Sequence, residues 1–245
     1  MAFQSNDGLT WHQRKANLKR WYRVYLGSHD FAIITTLLLA VNIGVYLFET
    51  FSQLQYGNIF SINPLVLIKY GASYVPFINA GDYWRLWTPM FVHVSPIHLG
   101  LNMVTLYLVG PVVEQKIGSI RMGCVYLLSG LAGNFVSFLF SQNTVSAGAS
   151  TSLFGLIAYA ALITPSARQR LASILIVNLA FNLIDPSVNI YGHLGGLIGG
   201  VLLAALFFDI DEIDFVRVPS WLRTTFAVGL TLVLFTWTIF NDYLP

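Results

Sequence analysis

The chain has 245 residues, 56% of them hydrophobic and only 10% charged, with a mean hydropathy of +0.66. Soluble domains carry roughly 25% charged residues, so this composition excludes a soluble globular domain, a disordered chain and a basic nucleic-acid binder. The net charge is +2, and the single cysteine, Cys124, excludes a disulfide scaffold.

A helical span needs about 20 mostly apolar residues, fewer where its ends are buried in protein. Residues 1–30 precede the first such run. They form a basic segment whose Trp11–Tyr25 stretch reads as an interfacial helix on the cytoplasmic side, with His12 and His29 solvated. That segment runs straight into a full span, so it lacks the character of a cleavable signal. Seven segments then qualify as spans: Phe31–Thr50, Pro96–Val113, Met122–Phe140, Ser150–Thr164, Leu171–Ile184, His193–Phe208 and Thr224–Phe240. Residues 51–95, rich in Tyr, Phe and Trp and poor in charge, read as an outer structure lying in the interface, with a short helix near Asn63–Tyr70. With the N-terminus inside, eleven of the thirteen Lys and Arg fall on the inner side and only Lys69 and Arg85 on the outer. The positive-inside rule therefore predicts a cytoplasmic N-terminus and, after seven spans, an outer C-terminus.

Ionisable and polar groups at membrane depth are expensive, so each is a functional candidate. In this topology the even-numbered spans begin on the outer side. His93, His98 and Asn102 open the second span, Ser150 the fourth and His193 the sixth. Three clusters thus lie on one side at similar depth, where chance would scatter them over both. Ser95-Pro96 reads as an N-cap with proline at the first helical position, placing His98 in the first turn and Asn102 one turn deeper on the same face. Span four has 15 residues, about 22 Å of helix, so Ser150 stops short of the outer boundary and the loop before it borders a wet pocket. Glycines 192, 196 and 200 form one ridge on span six, and glycines 195 and 199 a second, which lets a neighbouring backbone come close beneath His193.

A serine facing a histidine in a wet pocket supplies a nucleophile and its general base. Candidate donors to a tetrahedral oxyanion are the Ser150 N–H, the Asn102 amide and the His98 imidazole. Asp185, the nearest carboxylate to His193 in sequence, reads as a solvated loop residue, so a dyad is expected. The rival reading of the histidines is a metal site. A di-metal oxygenase needs more ligands, and carboxylates are expected to be absent from the spans; no metal and no cofactor is therefore anticipated. Asn42, Asn134, Asn178 and Asn182 read as interhelical hydrogen-bond glue, and Cys124 as a buried small hydrophobe. A transporter is disfavoured by the lack of an intramembrane acid–base chain.

These residues resemble the rhomboid intramembrane serine proteases. The matching pieces are Trp84-Arg85, His93-x4-His98-x3-Asn102, Gly148-Ala149-Ser150 and His193-Leu-Gly-Gly196-Leu-Ile-Gly-Gly200, in order and on the expected spans. The resemblance implies an all-α polytopic bundle: a six-helix core over residues 31–208, preceded by the basic segment 1–30 and followed over 209–245 by an acidic cytoplasmic loop and a seventh helix. It implies Ser150 as nucleophile, His193 as base, and His98 and Asn102 in the oxyanion hole. It also implies a structural or water-retaining His93, Phe154 packing on the catalytic imidazole, helix-packing glycines at Gly196 and Gly200, Gly148 as a supporting residue of the serine motif, and Trp84-Arg85 as a structural pair. Substrates would be transmembrane proteins in the bilayer, entering between spans two and five, with easily unwound helices and a small residue before the cut. The alternative is a catalytically dead relative that binds membrane clients, but this chain keeps both serine and histidine. The chain departs from the family at Thr151, where glycine is usual, at Gly192, where alanine is usual, and at Glu114-Gln115-Lys116, where Glu-x-Arg is frequent. A bacterial cytoplasmic membrane is the expected location, and residues 185–191 the candidate gating loop.

Overall fold

The computed structural model describes residues 32–57, 60–141, 144–184 and 189–207. The basic N-terminal segment, Asp185 and most of the candidate gating loop, and the seventh span lie outside the described residues. The elements are α1 (Ile33–Gln53), α2 (Pro64–Tyr70), β1 (Ser73–Tyr74), α3 (Val75–Asn79), α4 (Pro96–Ile117), α5 (Ser119–Phe140), β2 (Val145–Ser146), α6 (Ser150–Ile163), α7 (Arg168–Ile184) and α8 (Ile190–Phe207). Among the described residues three helices are long and apolar enough to cross a membrane by length and composition: the run from Ile33 to Tyr56, α4 and α5. Helix α6 and its successor turn through 116° about Pro165, and α8 is a shorter apolar helix. The molecule is a multi-pass helical membrane protein.

Helices α5, α6 and α8 pack mutually, α7 leans on α6, and α1 packs on α4. Helix α6 is buried along its whole length from Thr151 to Ala160, as a helix that is apolar all round must be. Its core partners include Met103, Leu106 and Val113 of α4 and Met122, Val125 and Tyr126 of α5. Glycines make the close approach possible. A Cβ at Gly196 would lie 2.0 Å from the Thr151 carbonyl oxygen, and one at Gly200 2.0 Å from that of Gly155. Thr151, the departure from glycine, is accommodated by glycines around it: a Cβ at Gly133 would meet its Cβ at 2.9 Å.

The short helix expected near Asn63–Tyr70 is α2, capped by Asn63, whose Oδ1 accepts from the Leu65 N–H at 2.9 Å. The structured segment around it is organised by Arg85. Its Nε donates to Asp82 Oδ2 at 2.9 Å and its Nη1 to the Ile68 and Ala72 carbonyls at 2.7 and 3.2 Å. The guanidinium also sits 4.2 Å from the Trp84 ring and 5.1 Å from that of Phe77. Strand β1 pairs antiparallel with β2, Ser73 opposite Ser146, which ties this segment to the chain entering α6.

Several expectations are corrected. The helices outrun the predicted spans: α4 continues to Ile117 and α5 begins at Ser119, leaving Gly118 as the whole connection. Carboxylates are present in the helices after all, because Glu49 in α1 and Glu114 in α4 are both buried. Glu114 accepts from the Ile34 and Thr35 N–H groups and the Thr35 hydroxyl, each at 2.8 Å, and from the Ser119 hydroxyl at 2.6 Å. It thus satisfies orphan donors at the start of α1, where a negative charge also complements the helix dipole. Lys116, in place of arginine, donates its Nζ to the Ile163 carbonyl at the end of α6. Cys124 is exposed rather than buried. Asn178 donates to the Ile174 carbonyl of its own helix at 2.7 Å, so that bond does not join two helices as expected. Asn134 donates from α5 to the carbonyl of Leu86, in the short 3-10 helix Tyr83–Leu86, at 3.0 Å and does join two helical elements. The side chain of Asn182 lies outside the described residues. Asn42 does approach another helix, its Nδ2 lying 3.5 Å from Tyr126 Oη.

Glu114→Ala is expected to cost about 3 kcal/mol, because it leaves several buried donors unpaired at once. Chemical unfolding in detergent measures this; a loss under about 1 kcal/mol would contradict the capping role.

Candidate active site

The site is assembled from three chain segments, and local sequence positions each. Ser95 caps α4, its Oγ accepting from the His98 N–H at 3.1 Å, and Pro96 occupies the first helical position. His98 and Asn102 therefore stack on one face, with Asn102 Nδ2 donating to the His98 carbonyl at 3.0 Å. Ser150 is the first residue of α6, so its N–H is one of the helix's orphan donors. Gly148 precedes it with φ +139°, a left-handed region that favours glycine, and its N–H donates to the Pro89 carbonyl at 2.9 Å. The lack of a side chain matters too. A Cβ there would lie 2.5 Å from Cε1 and 2.9 Å from Nε2 of His98, and 3.5 Å from Ser150 Oγ, so glycine is what admits the imidazole beside the serine.

His193 lies in the first turn of α8, 5% exposed, with Nε2 2.6 Å from Ser150 Oγ. In the neutral imidazole with Nε2 unprotonated, the serine hydroxyl donates across this contact. Phe154, one turn below Ser150, stacks on the His193 ring with centroids 4.2 Å apart and planes at 10°. The ring can then vary little in tilt, which keeps Nε2 aimed at Oγ. Gly196 and Gly200, one and two turns further along α8, are the contacts that bring α8 down onto α6.

A cavity of about 690 Å³ opens onto this pair, lined among others by His98, Asn102, Ser150, Phe154, Asn178 and His193. That volume suits a short stretch of extended peptide. His93 lies behind the cavity wall rather than on it. It is fully buried, its N–H donates to Glu49 Oε2 at 3.2 Å, and its ring centroid is 5.4 Å from that of His98. Burial, reinforced by the neighbouring His98 imidazole, pushes the His93 pKa down to about 3, so the ring stays neutral throughout the physiological range. Among the described residues no three His, Cys, Asp or Glu side chains converge as metal ligands would.

The structure thus brings together Ser150, His193, His98, Asn102, Phe154 and Gly148, with His93 behind them, whereas Trp84 and Arg85 organise the segment around α2 and do not line the cavity. Two residues escaped the sequence reading. Glu49 was signalled by an acid inside an apolar run, which is costly enough to be noticed. Asn189 was signalled by an Asn three residues before Gly192 at a helix start, the usual spacing of an N-cap.

A partly buried serine–histidine contact at the head of two close-packed apolar helices defines a membrane protein with a hydrolase-like site. The rhomboid domain model matches residues 80–210, just over half of the chain. The protein belongs to the rhomboid family. It is 37% identical over 153 residues to rhomboid protease GluP of Bacillus subtilis (strain 168), a match covering 59% of this chain and 30% of that protein. It is 35% identical over 171 residues to RHOMBOID-like protein 2 of Arabidopsis thaliana, covering 63% and 52% respectively. Rhomboid-like protease 3 of Toxoplasma gondii is 31% identical over 176 residues, covering 67% and 65%. The chain accordingly spans between about a third and two thirds of the length of these relatives.

Proposed function

We propose that this chain is an intramembrane serine endopeptidase that cleaves peptide bonds in or near the transmembrane segments of other membrane proteins, on the outer side of the membrane. The observation that carries the reading is the 2.6 Å contact between Ser150 Oγ and His193 Nε2, held by the stacked Phe154 ring and open to a peptide-sized cavity. Relatives named as proteases support the same chemistry.

Ser150 Oγ attacks the scissile carbonyl carbon while its proton passes to His193 Nε2. The carbonyl oxygen becomes an oxyanion facing the Ser150 N–H, the Asn102 amide and His98. Collapse of the tetrahedral species breaks the C–N bond, and His193 returns the proton to the leaving amine. Water then attacks the acyl-serine, its proton again taken by His193, and Ser150 is regenerated. The bundle is read as six core helices, α1, α4, α5, α6, α7 and α8, with a seventh over 224–240. The N-terminus is cytoplasmic and the C-terminus outside, in a bacterial cytoplasmic membrane. Substrate would enter between α4 and α7, which share no extensive contact among the described residues.

Co-reconstitution with a single-span reporter protein tests the reading. Products whose masses place the cut within or beside the span support it, and an uncut reporter with the folded protein argues for client binding instead. Asn102→Ala is expected to lower kcat on the order of a hundredfold with KM nearly unchanged, because the amide acts on charge that develops only in the transition state. Unchanged kcat in steady-state assays would remove Asn102 from the oxyanion site.

A further inference from the structure

The serine and the histidine sit on different helices, and their 2.6 Å contact requires the chain before each to be fixed relative to the other. Strand β2 ends at Ser146, four residues before Ser150, and Asn189 lies four residues before His193. One side chain joins these two leads. Asn189 Nδ2 donates to Ser146 Oγ at 3.0 Å and also to Ser137 Oγ on α5. Its Oδ1 accepts from the Gly192 N–H at 3.1 Å, capping the first turn of α8, and from the Ser141 hydroxyl at 3.2 Å. Its backbone carbonyl receives the N–H of His193 itself at 3.3 Å. A residue needed only to cap α8 would use its acceptor oxygen alone, and serine or aspartate would serve as well. Here the donor half of the amide is also engaged, and it is engaged with the strand leading to the serine.

From this juxtaposition we infer that Asn189 is a positioning residue of the catalytic pair, clamping the Ser150 approach strand to the start of the His193 helix through its bond to Ser146. The inference rests on the protease reading given above. It assigns the two halves of one amide to two tasks. The oxygen sets the start and direction of α8, and the nitrogen sets its distance from β2 and from the end of α5. Loosening the second task leaves α8 folded but lets Nε2 drift from Oγ, and a shift on the scale of 1 Å is enough to slow a positioned reaction severely.

The decisive comparison is among the whole protein, Asn189→Ser, Ser146→Ala and the double variant, assayed on the single-span reporter, with Ser150→Ala as the blank. Asn189→Ser keeps an oxygen able to cap the Gly192 N–H but is too short to reach Ser146, and it adds no charge. It is expected to lower kcat tenfold or more, with KM within about twofold and the thermal midpoint close to wild type. Ser146→Ala is expected to show the same split, and the double variant to be no worse than the poorer single, because both remove one bond. Asn189→Ser turning over at the wild-type rate would reduce the residue to a helix cap and overturn the clamp. So would losses that multiply in the double variant, or a kcat loss that tracks a collapsed thermal midpoint. If wild type itself leaves the reporter uncut, the protease reading fails and the clamp falls with it; a cut reporter with unaffected variants sinks the clamp alone.

Discussion

Ser150→Ala is expected to abolish reporter cleavage, with a rate loss of at least about a thousandfold, while leaving the protein folded and its detergent elution unchanged. The size follows from the site. Among the described residues the serine oxygen is the one nucleophile that both touches the imidazole base and faces the cavity, so its removal leaves only binding and oxyanion donors to act on water. The packing cost is small. Ser150 lies at the head of α6, one turn before the apolar interior of that helix begins to carry the core, and alanine suits a first helical turn. His193→Ala should match it in rate loss, because a neutral serine without a base is a poor nucleophile. It should also lower the thermal midpoint, since the Phe154 ring then loses the partner it stacks on. Quantified cleavage alongside circular dichroism separates the two effects; residual cleavage by purified Ser150→Ala at more than a few per cent of wild type would sink the nucleophile assignment.

Gly200→Ala is the second large effect, and it acts through the backbone. The added methyl would stand 2.0 Å from the Gly155 oxygen, 2.5 Å from its carbonyl carbon and 2.6 Å from its Cα. None of these is the movable end of a side chain, so α6 and α8 must part. Overpacking of this kind costs about 1–3 kcal/mol. The functional loss should exceed the structural one. His193 stands two turns up the same helix and Ser150 little more than one turn up the other, so a separation forced at Gly155–Gly200 is transmitted to the 2.6 Å contact. A rate loss of roughly a hundredfold is expected from a displacement of that order. Gly44→Ala is the control, because a Cβ at Gly44 meets nothing within 4 Å. Gly200→Ala with wild-type turnover would show that the helices separate without disturbing the pair.

Local signals in the sequence were enough for the parts of the site that depend on neighbouring residues. Ser95-Pro96 sets the start of α4 and therefore the common face of His98 and Asn102, and the small-residue run at 148–150 sets the start of α6. Glycine spacing on α8 marked the close contact beneath His193. The parts that escaped depend on partners far away in the chain. Glu114 is stable inside the protein because it receives donors from residues 34 and 35, about 80 positions earlier, and no periodicity in the fourth helix announces them. Glu49 and His93 find each other across 44 residues in the same way. Asn189 looks like one more polar residue at a helix start until the fold lays β2 and the end of α5 against it. Cys124 was expected to be buried because its segment is apolar, but in a membrane bundle an apolar face turned outward toward lipid reads the same as one turned inward. Helix lengths were underestimated for another reason: the polar residues Glu114, Gln115, Lys116, Ser119 and Arg121 read as a loop, yet they form the facing ends of α4 and α5 with Gly118 alone between them.

The most direct test of an activated serine is labelling of the detergent-purified protein with a fluorophosphonate, beside Ser150→Ala and His193→Ala. Covalent labelling of wild type at Ser150, located by peptide mass spectrometry, is expected, and none of either variant. Equal labelling of wild type and Ser150→Ala, or label located on another residue, would contradict it.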